Sequence, residues 1–272
     1  MTVRNGSAYI SEAVESLLQQ TDGCFEVVVA DDGSTDDTRR ILEGIRDARL
    51  RVIELDSVGR AAALAEAVRH TRGALIAILD ADDVALPHRL ERQRAFLDSH
   101  RDVALVGSAA IDFDDRREWR RRVVSGPRQV RRALGMYNPF YHSSVMFRRA
   151  AYDAIGGYRP DGGWGHDKDL VMRFAKSFAV DIIPEPLIRY RHHAGQLTTS
   201  EGETFRRRKS ARLQLRAAKE LGLPAPLWIV PLLAFAYAYL PPALRPTALK
   251  RPVKQGLLRL AGVAGSRPSG GA

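Results

Sequence analysis

GALIAILDADDVALPHRL, residues 73 to 90, runs an apolar stretch straight into three carboxylates within four positions. Ala74 to Leu79 has the length and composition of a buried strand, and a charge inside such a run is costly to bury. Asp80, Asp82 and Asp83 are therefore expected just past the strand's carboxyl end. Asp80 and Asp82 alternate along an extended chain and so project to the same side. Two carboxylates so placed suit a hard divalent cation such as Mn²⁺ or Mg²⁺, which takes oxygen ligands. The structural alternative is that Asp82 or Asp83 caps a helix beginning near Pro87 while the others are solvated.

Upstream, the chain alternates helix and strand. Ser7 to Gln20 carries Ile10, Val14, Leu17 and Leu18 at helical spacing, and Phe25 to Ala30 is a short β-rich run. That run ends in Asp31-Asp32-Gly33-Ser34-Thr35-Asp36-Asp37-Thr38, a second acidic turn. A helical pattern follows to Arg46, then strand over Leu50 to Leu55, then an Ala-rich helix over Gly59 to Thr71. Strands separated by helices of this size imply right-handed βαβ units and a mainly parallel, Rossmann-like α/β sheet. Ligands bind such sheets beyond the carboxyl ends of the strands, where both acidic turns fall. Each turn also has an ordinary reading, since Asp and Ser cap helices and Gly fits turns.

Downstream, regularity declines after Val103 to Val106. Asp112 to Arg132, with eight arginines and four acids, reads as a charged loop. Ser143 to Phe147 reads as strand, Asp167 to Phe178 as helix, and the Pro-punctuated stretch to Tyr190 as strand. Gly156-Gly157-Tyr158 and Asp161-Gly162-Gly163 read as turns, and Ser266 to Ala272 as disordered.

The 272 residues carry a net charge of +10, unevenly placed: residues 1–203 sum to −2 and residues 204–272 to +12. The positive charge belongs to the tail, which argues against a nucleic-acid-binding body and for contact with an anionic surface. A basic amphipathic helix is expected from Thr204 to Leu221. Leu227 to Leu240 is apolar but holds Pro231 and falls short of the roughly 20 residues a spanning helix needs. It is expected at a membrane interface or packed on the body. The single cysteine, Cys24, excludes an internal disulfide framework and fits a reducing cytosol. No secretory leader is expected, because the N-terminus is polar by its fourth residue.

Taken in order, VRNGSAYISEAVESLLQQT, FEVVVADDGSTDDT, GALIAILDADDVALPHRL, SSVMFRRAAYDAIGGY, HDKDLVMRF and RYRHHAGQLT resemble the family-two glycosyltransferases, nucleotide-sugar-dependent enzymes with the GT-A fold. The resemblance covers roughly residues 1 to 200. It implies a GT-A catalytic domain over 1–203, with a nucleotide-sugar-binding half at 1–110 and an acceptor half at 111–203, followed by a basic, partly apolar helical tail at 204–272. It implies an inverting, metal-dependent transfer from a nucleoside-diphosphate sugar, UDP- or dTDP-linked. The acceptor would be a hydroxyl of a glycan or lipid-linked molecule in cell-surface polysaccharide synthesis. The enzyme would be cytoplasmic, peripheral on the inner face of the plasma membrane where residues 204–240 meet anionic lipid.

The resemblance also assigns residues. Asp32 would contact the base, with Thr2 and Arg4 lining the same pocket. Arg60 and Asp80 would bind the nucleotide sugar, Asp80 approaching the ribose. Asp82 would hold Mn²⁺ or Mg²⁺ on the diphosphate, with His193 beside it. Asp167 would take the proton from the acceptor hydroxyl, on the face opposite the leaving diphosphate. Asp169 competes for that role, and a helix N-cap is the structural alternative for Asp167.

Three departures stand out. The chain reads Met1-Thr2-Val3-Arg4-Asn5-Gly6 where relatives have a longer apolar first strand, and a lost strand would leave its neighbours' backbone groups unpaired. The sequence therefore raises a late-annotated start, or a chain that folds poorly or is inactive. Ala65 replaces a common asparagine, and His166 stands where an acid is usual. Two other functions compete: a sugar-phosphate nucleotidyltransferase, which would want a Gly-rich phosphate loop that Asn5-Gly6-Ser7-Ala8 does not offer, and a catalytically degenerate paralogue that binds nucleotide sugar or scaffolds a complex.

Overall fold

A computed structural model describes residues 1–160, 165–196 and 203–240. The first sheet is parallel, with β1 (Thr2–Val3) against β2 (Val27–Asp31) and β2 against β3 (Leu50–Glu54). Helices α1 (Ile10–Leu18), α2 (Thr38–Gly44) and α3 (Arg60–Arg69) make the connections. Ile10, Ala13 and Val14 of α1 are buried with Val3, Val27, Val29 and Leu79, so the apolar stripe of α1 lies on the inner face of β2.

The short first strand does not leave β2 unpaired. The Met1 amino group donates to Val28 O at 2.9 Å, Ala30 N to Met1 O at 3.0 Å, and Asp32 N to Val3 O at 2.8 Å. Two residues of strand plus their flanks supply the partners that the backbone of β2 requires.

The second sheet is mixed. Its strands are β4 (Leu75–Ala77), β5 (Val84–Ala85), β6 (Val103–Phe113), β7 (Glu118–Arg120), β8 (Met146–Arg148) and β9 (Ala179–Arg191), in the order β4-β8-β6-β9-β5 with β7 on β6. Parallel β6 and β9 form its spine, from Val103 opposite Ala179 to Phe113 opposite Arg191. The register slips between Ser108 and Ala109, opposite Ile183 and Pro186. Pro184 and Pro186 have no N–H for the ladder, and a bulge there lets the pairing resume beyond them.

The segment read as a loop, Asp112 to Arg132, is structured. It holds the end of β6, a turn, β7 and α5 (Pro127–Leu134), whose Val130, Ala133 and Leu134 are fully buried. Helices α4 (Arg89–Ser99), α6 (Arg149–Ala154) and α7 (His166–Ser177) complete the body. Leu105, Leu134, Phe147, Leu170 and Phe174 centre the main core. Phe147 stacks on Tyr152 at 5.1 Å and meets Phe174 at 5.5 Å.

Within the tail, α8 (Glu203–Glu220) packs on the body through Ala217 and Ala218, with Leu221 just past its end. Arg216 reaches Asp169 at 3.2 Å, and Leu213 sits so close to Gly165 that a side chain there would collide with it. Helix α9 (Ile229–Tyr239) folds back on α8, where the Arg212 Nε donates to Tyr239 OH at 2.6 Å. Ile229, Leu232 and Leu233 stay exposed. No helix among the described residues is long and apolar enough to cross a membrane. The expected turn at 161–163 and the chain from 241 on, including 266–272, lie outside the described residues.

Candidate active site

The acidic run after β4 closes into a turn in which Asp83 N donates to Asp80 O at 3.2 Å. One carboxylate oxygen each from Asp80, Asp82 and Asp83 lies within 4.8 Å of the others. Their surroundings nevertheless differ sharply. Asp83 is buried, accepting from Ser143 Oγ and from Arg191 N at 2.9 Å. Burial, with Asp82 and Asp80 beside it, pushes its carboxyl well up. Asp83 caps no helix, since α4 begins at Arg89 with His88 before it. It ties the turn to β9 and to the segment before β8.

Asp80 faces cations. Arg60 lies at 2.6 Å and His142 Nδ1 at 3.1 Å from its Oδ1. Burial pushes this carboxyl up, but Arg60 and His142 outweigh burial and hold it far below the ordinary range. Behind them His142 Nε2 meets Tyr158 OH at 2.9 Å, so a buried chain of polar groups backs Asp80. Asp82 keeps 29% of its side chain exposed, and its Oδ2 lies 3.0 Å from His193 Nε2. A carboxylate and an imidazole side by side at the mouth, with a second carboxylate behind, form a donor set that fits Mn²⁺ or Mg²⁺.

The first acidic turn is pinned by the segment after β1. Asn5, held at φ +53°, accepts from Thr35 N at 2.8 Å while its own N donates to Ser34 Oγ at 2.9 Å. Burial pushes the Asp36 carboxyl up, but hydrogen bonds from Thr38 and from Ser7 N together outweigh it and hold it down at about 2. Gly33, at φ +73° with Ser57 against it, has no room for a side chain. Asp32 is buried, and its carboxylate accepts from Val58 N at 2.6 Å and Gly59 N at 2.9 Å. It thereby fixes the loop that delivers Arg60. Thr2 is buried on β1 and Arg4 lies exposed just past it.

Asp167 and Asp169 occupy the first turn of α7, where the helix dipole favours negative charge. Gly165, not Asp167, is the N-cap residue. Half-buried Asp167 accepts from Asn138 Nδ2 at 3.0 Å. Asp169 is buried in an ion network with Arg173 at 2.8 Å, Arg216 at 3.2 Å and Arg159 at 3.7 Å. His166 lies edge-on to His142 at 5.5 Å. Burial pulls Arg60 down, but Asp80, Asp82 and Asp167 together raise it, so the two acidic sets converge on one guanidinium. Ala65 packs against the main core.

Asp32, Arg60, Asp80, Asp82, Asp167 and His193 thus gather along the carboxyl edge of the first sheet and the adjoining turn, while Thr2 and Arg4 flank that edge. His142, Ser143, Tyr158, Asn138 and Arg191 complete the site without having been singled out from the sequence. Ser143, Tyr158 and Arg191 fall inside the runs SSVMFRRAAYDAIGGY and RYRHHAGQLT, and His142 in the polar run Tyr141-His142-Ser143-Ser144 ahead of a strand.

A Rossmann-like α/β domain with paired carboxylates beyond its strand ends is the architecture of a nucleotide-sugar-dependent transferase. The model for "Glycosyl transferase family 2" matches residues 1–156, and the chain belongs to that family. It is 31% identical over 276 aligned positions to EpsE of Bacillus subtilis (strain 168), a protein provisionally named a glycosyltransferase, covering 95% of this chain and 96% of EpsE. It is 30% identical over 155 residues to the amylovoran biosynthesis glycosyltransferase AmsE of Erwinia amylovora, covering 55% of this chain and 58% of AmsE. Among solved structures, S. aureus TarS 1-349 in complex with UDP-GlcNAc shares the fold at TM-score 0.68 and 19% identity, covering 96% of this chain and 77% of that one. The mannosyltransferase PcManGT from Pyrobaculum calidifontis, in complex with GDP-Man and Mn2+, matches at TM-score 0.59 and 26% identity, covering 98% and 75%.

Proposed function

We propose that this glycosyltransferase moves a sugar, with inversion, from a UDP- or dTDP-linked donor to a hydroxyl of a glycan or lipid-linked acceptor in cell-surface polysaccharide synthesis. The reading rests mainly on the unequal state of the acidic turn. Asp83 is spent on structure and Asp80 on Arg60, which leaves Asp82 and His193 at the mouth. The polysaccharide context is carried over from AmsE, and a nucleotide-sugar donor with Mn²⁺ from TarS and PcManGT.

Asp32, Thr2 and Arg4 would line the base pocket, and Arg60 and Asp80 the sugar-nucleotide side. Asp82 and His193 would hold Mn²⁺ or Mg²⁺, which supplies positive charge against the leaving diphosphate. Asp167 accepts the acceptor's hydroxyl proton as its oxygen bonds to the anomeric carbon and the bond to the diphosphate breaks. The hydrogen bond from Asn138 holds that carboxylate in place. Asp169, neutralised by three arginines, serves the fold.

The test is slow hydrolysis of a panel of nucleoside-diphosphate sugars with Mn²⁺, water standing in for the acceptor, followed by NMR. Release of the sugar first as the inverted anomer is expected. Retention overturns inversion. Mn²⁺-dependent binding without turnover, even with added acceptors, would instead identify the degenerate paralogue.

We assign the tail helices to an anionic membrane surface. Ile229, Leu232 and Leu233 are exposed on the helix whose Tyr239 meets Arg208 and Arg212, and exposed Phe205 lies against Lys209. Because α8 also buttresses α7, deleting the tail would uncover the core. Leu232→Ser with Leu233→Ser is the cleaner variant, and it is expected to lose co-sedimentation with phosphatidylserine vesicles. Undiminished binding would refute the assignment.

A further inference from the structure

A second polar cluster adjoins the site, and the mechanism above does not use it. Asp112, fully buried near the end of β6, accepts from Arg121 Nη2 at 2.5 Å and from Tyr141 OH at 2.8 Å, and meets His192 Nε2 at 2.7 Å. His192 stacks on Trp119 at 4.9 Å, and the Arg117 guanidinium lies 4.9 Å from the Trp119 ring centroid. The cluster stands on the hairpin of β6 and β7, where Asp112 is opposite Trp119 on one side and Tyr190 on the other.

Two pairs of consecutive residues join this cluster to the acidic turn. Tyr141 serves Asp112 while its neighbour His142 serves Asp80. His192 serves Asp112 while its neighbour His193 serves Asp82. The order of contacts then runs from Asp32 through Gly59 and Arg60 to Asp80, and through the histidines to Asp112 and Arg121. In that order of contacts Arg121 stands at the far end from Asp32, with the acidic turn between them.

The charge there is positive. Five arginines fall between Arg116 and Arg122. Of the nearby acids, Glu118 pairs with Arg189, Asp114 accepts from the turn amides of Arg116 and Arg117, and Asp115 is exposed. Arg121 is anchored by one nitrogen and keeps 53% of its side chain exposed. A guanidinium fixed at one corner, with its remaining donors facing solvent, presents the fork that phosphate oxygens accept.

We propose that Arg121 and Arg117, organised by Asp112, His192 and Trp119, form an anion subsite for a phosphate group carried by the acceptor. This rests on the glycosyltransferase reading above and names its acceptor class: a phosphorylated glycan carrier rather than a neutral sugar alone. The phosphate belongs either to a lipid-linked acceptor or to a soluble phosphodiester polymer.

The experiment uses the full chain saturated with UDP and Mn²⁺, titrated calorimetrically with decyl phosphate below its micelle concentration and with a glycerol-phosphate trimer. Binding that persists with the donor pocket filled is expected, at least ten-fold weaker in Arg121→Gln and in Arg117→Gln. Arg117 is an exposed turn residue whose loss leaves Asp112 covered, so that variant is informative even if the first is unstable. Tighter binding of decyl phosphate selects the lipid carrier, and of the trimer the polymer. Competition with UDP, or equal affinity in both variants and wild type, overturns the subsite. Should UDP and Mn²⁺ fail to bind at all, the donor reading fails, while titration of the UDP-free chain still reports on the arginines.

Discussion

The acidic turn at 80–83 and the first turn of α7 at 167–169 are built alike and used differently. Each carries carboxylates a few residues apart at the end of a regular element. In each, one carboxylate is sunk into the fold and another is left toward the cleft. Asp83 spends its oxygens on Ser143 and the Arg191 amide, and Asp169 on Arg173 and Arg216. Among the described residues, Asp82 meets His193 and Asp167 meets Asn138. Sequence spacing makes such residues candidates together, and their packing divides them. Turning Asp83 or Asp169 toward a ligand would leave their donors unpaired.

That division can be broken most sharply on α7. Asp167→Asn is expected to lower turnover by about a thousand-fold, within the span of general-base catalysis, at unchanged melting temperature. Asp169→Asn is expected to act the other way, destabilising by about 3–5 kcal/mol in urea unfolding, because it leaves the buried Arg173 as an uncompensated charge. Loss of turnover in a stable Asp169→Asn, with near-normal Asp167→Asn, would exchange their roles.

The acidic turn gives a subtler test. The Asp83 carboxyl is raised by burial, so the folded chain keeps a proton that the unfolded chain releases above roughly pH 4. The unfolded state then binds fewer protons, and this group lowers stability as pH rises until the folded carboxyl has itself ionised. Asp83→Asn removes that penalty. Metal-free unfolding should show the variant gaining on wild type between pH 5 and pH 8, and a constant difference would contradict the environment described for Asp83. The smallest effect is expected at Asn138→Leu. Without the hydrogen bond that holds the Asp167 carboxylate in place, turnover at fixed pH should fall by about ten-fold, at unchanged melting temperature.

Much of the donor half was legible in the sequence, because its signals are local. Apolar runs ending in acidic turns mark β2 and β4, and helical spacing marks α1 and α3. What could not be read depends on distant partners. Asp83 looked like a cap because Ser143 and Arg191 lie 60 and 108 positions away. Asp112 to Arg132 looked like a loop because β7 has three residues and the burial of Asp112 needs Tyr141 and His192, which lie 29 and 80 positions away. The basic tail helix was legible as a helix, whereas its contact with Asp169 and Gly165 was not.

The central claim is that Asp82, the least buried of the three turn carboxylates, holds the cation through which a nucleoside diphosphate binds. Calorimetric titration of UDP into the full chain, with Mn²⁺ and with EDTA, tests it directly when repeated on Asp82→Ala. Binding in Mn²⁺ that is lost both in EDTA and in the variant is expected. Equal UDP binding in EDTA, or undiminished Mn²⁺-dependent binding by Asp82→Ala, would contradict it.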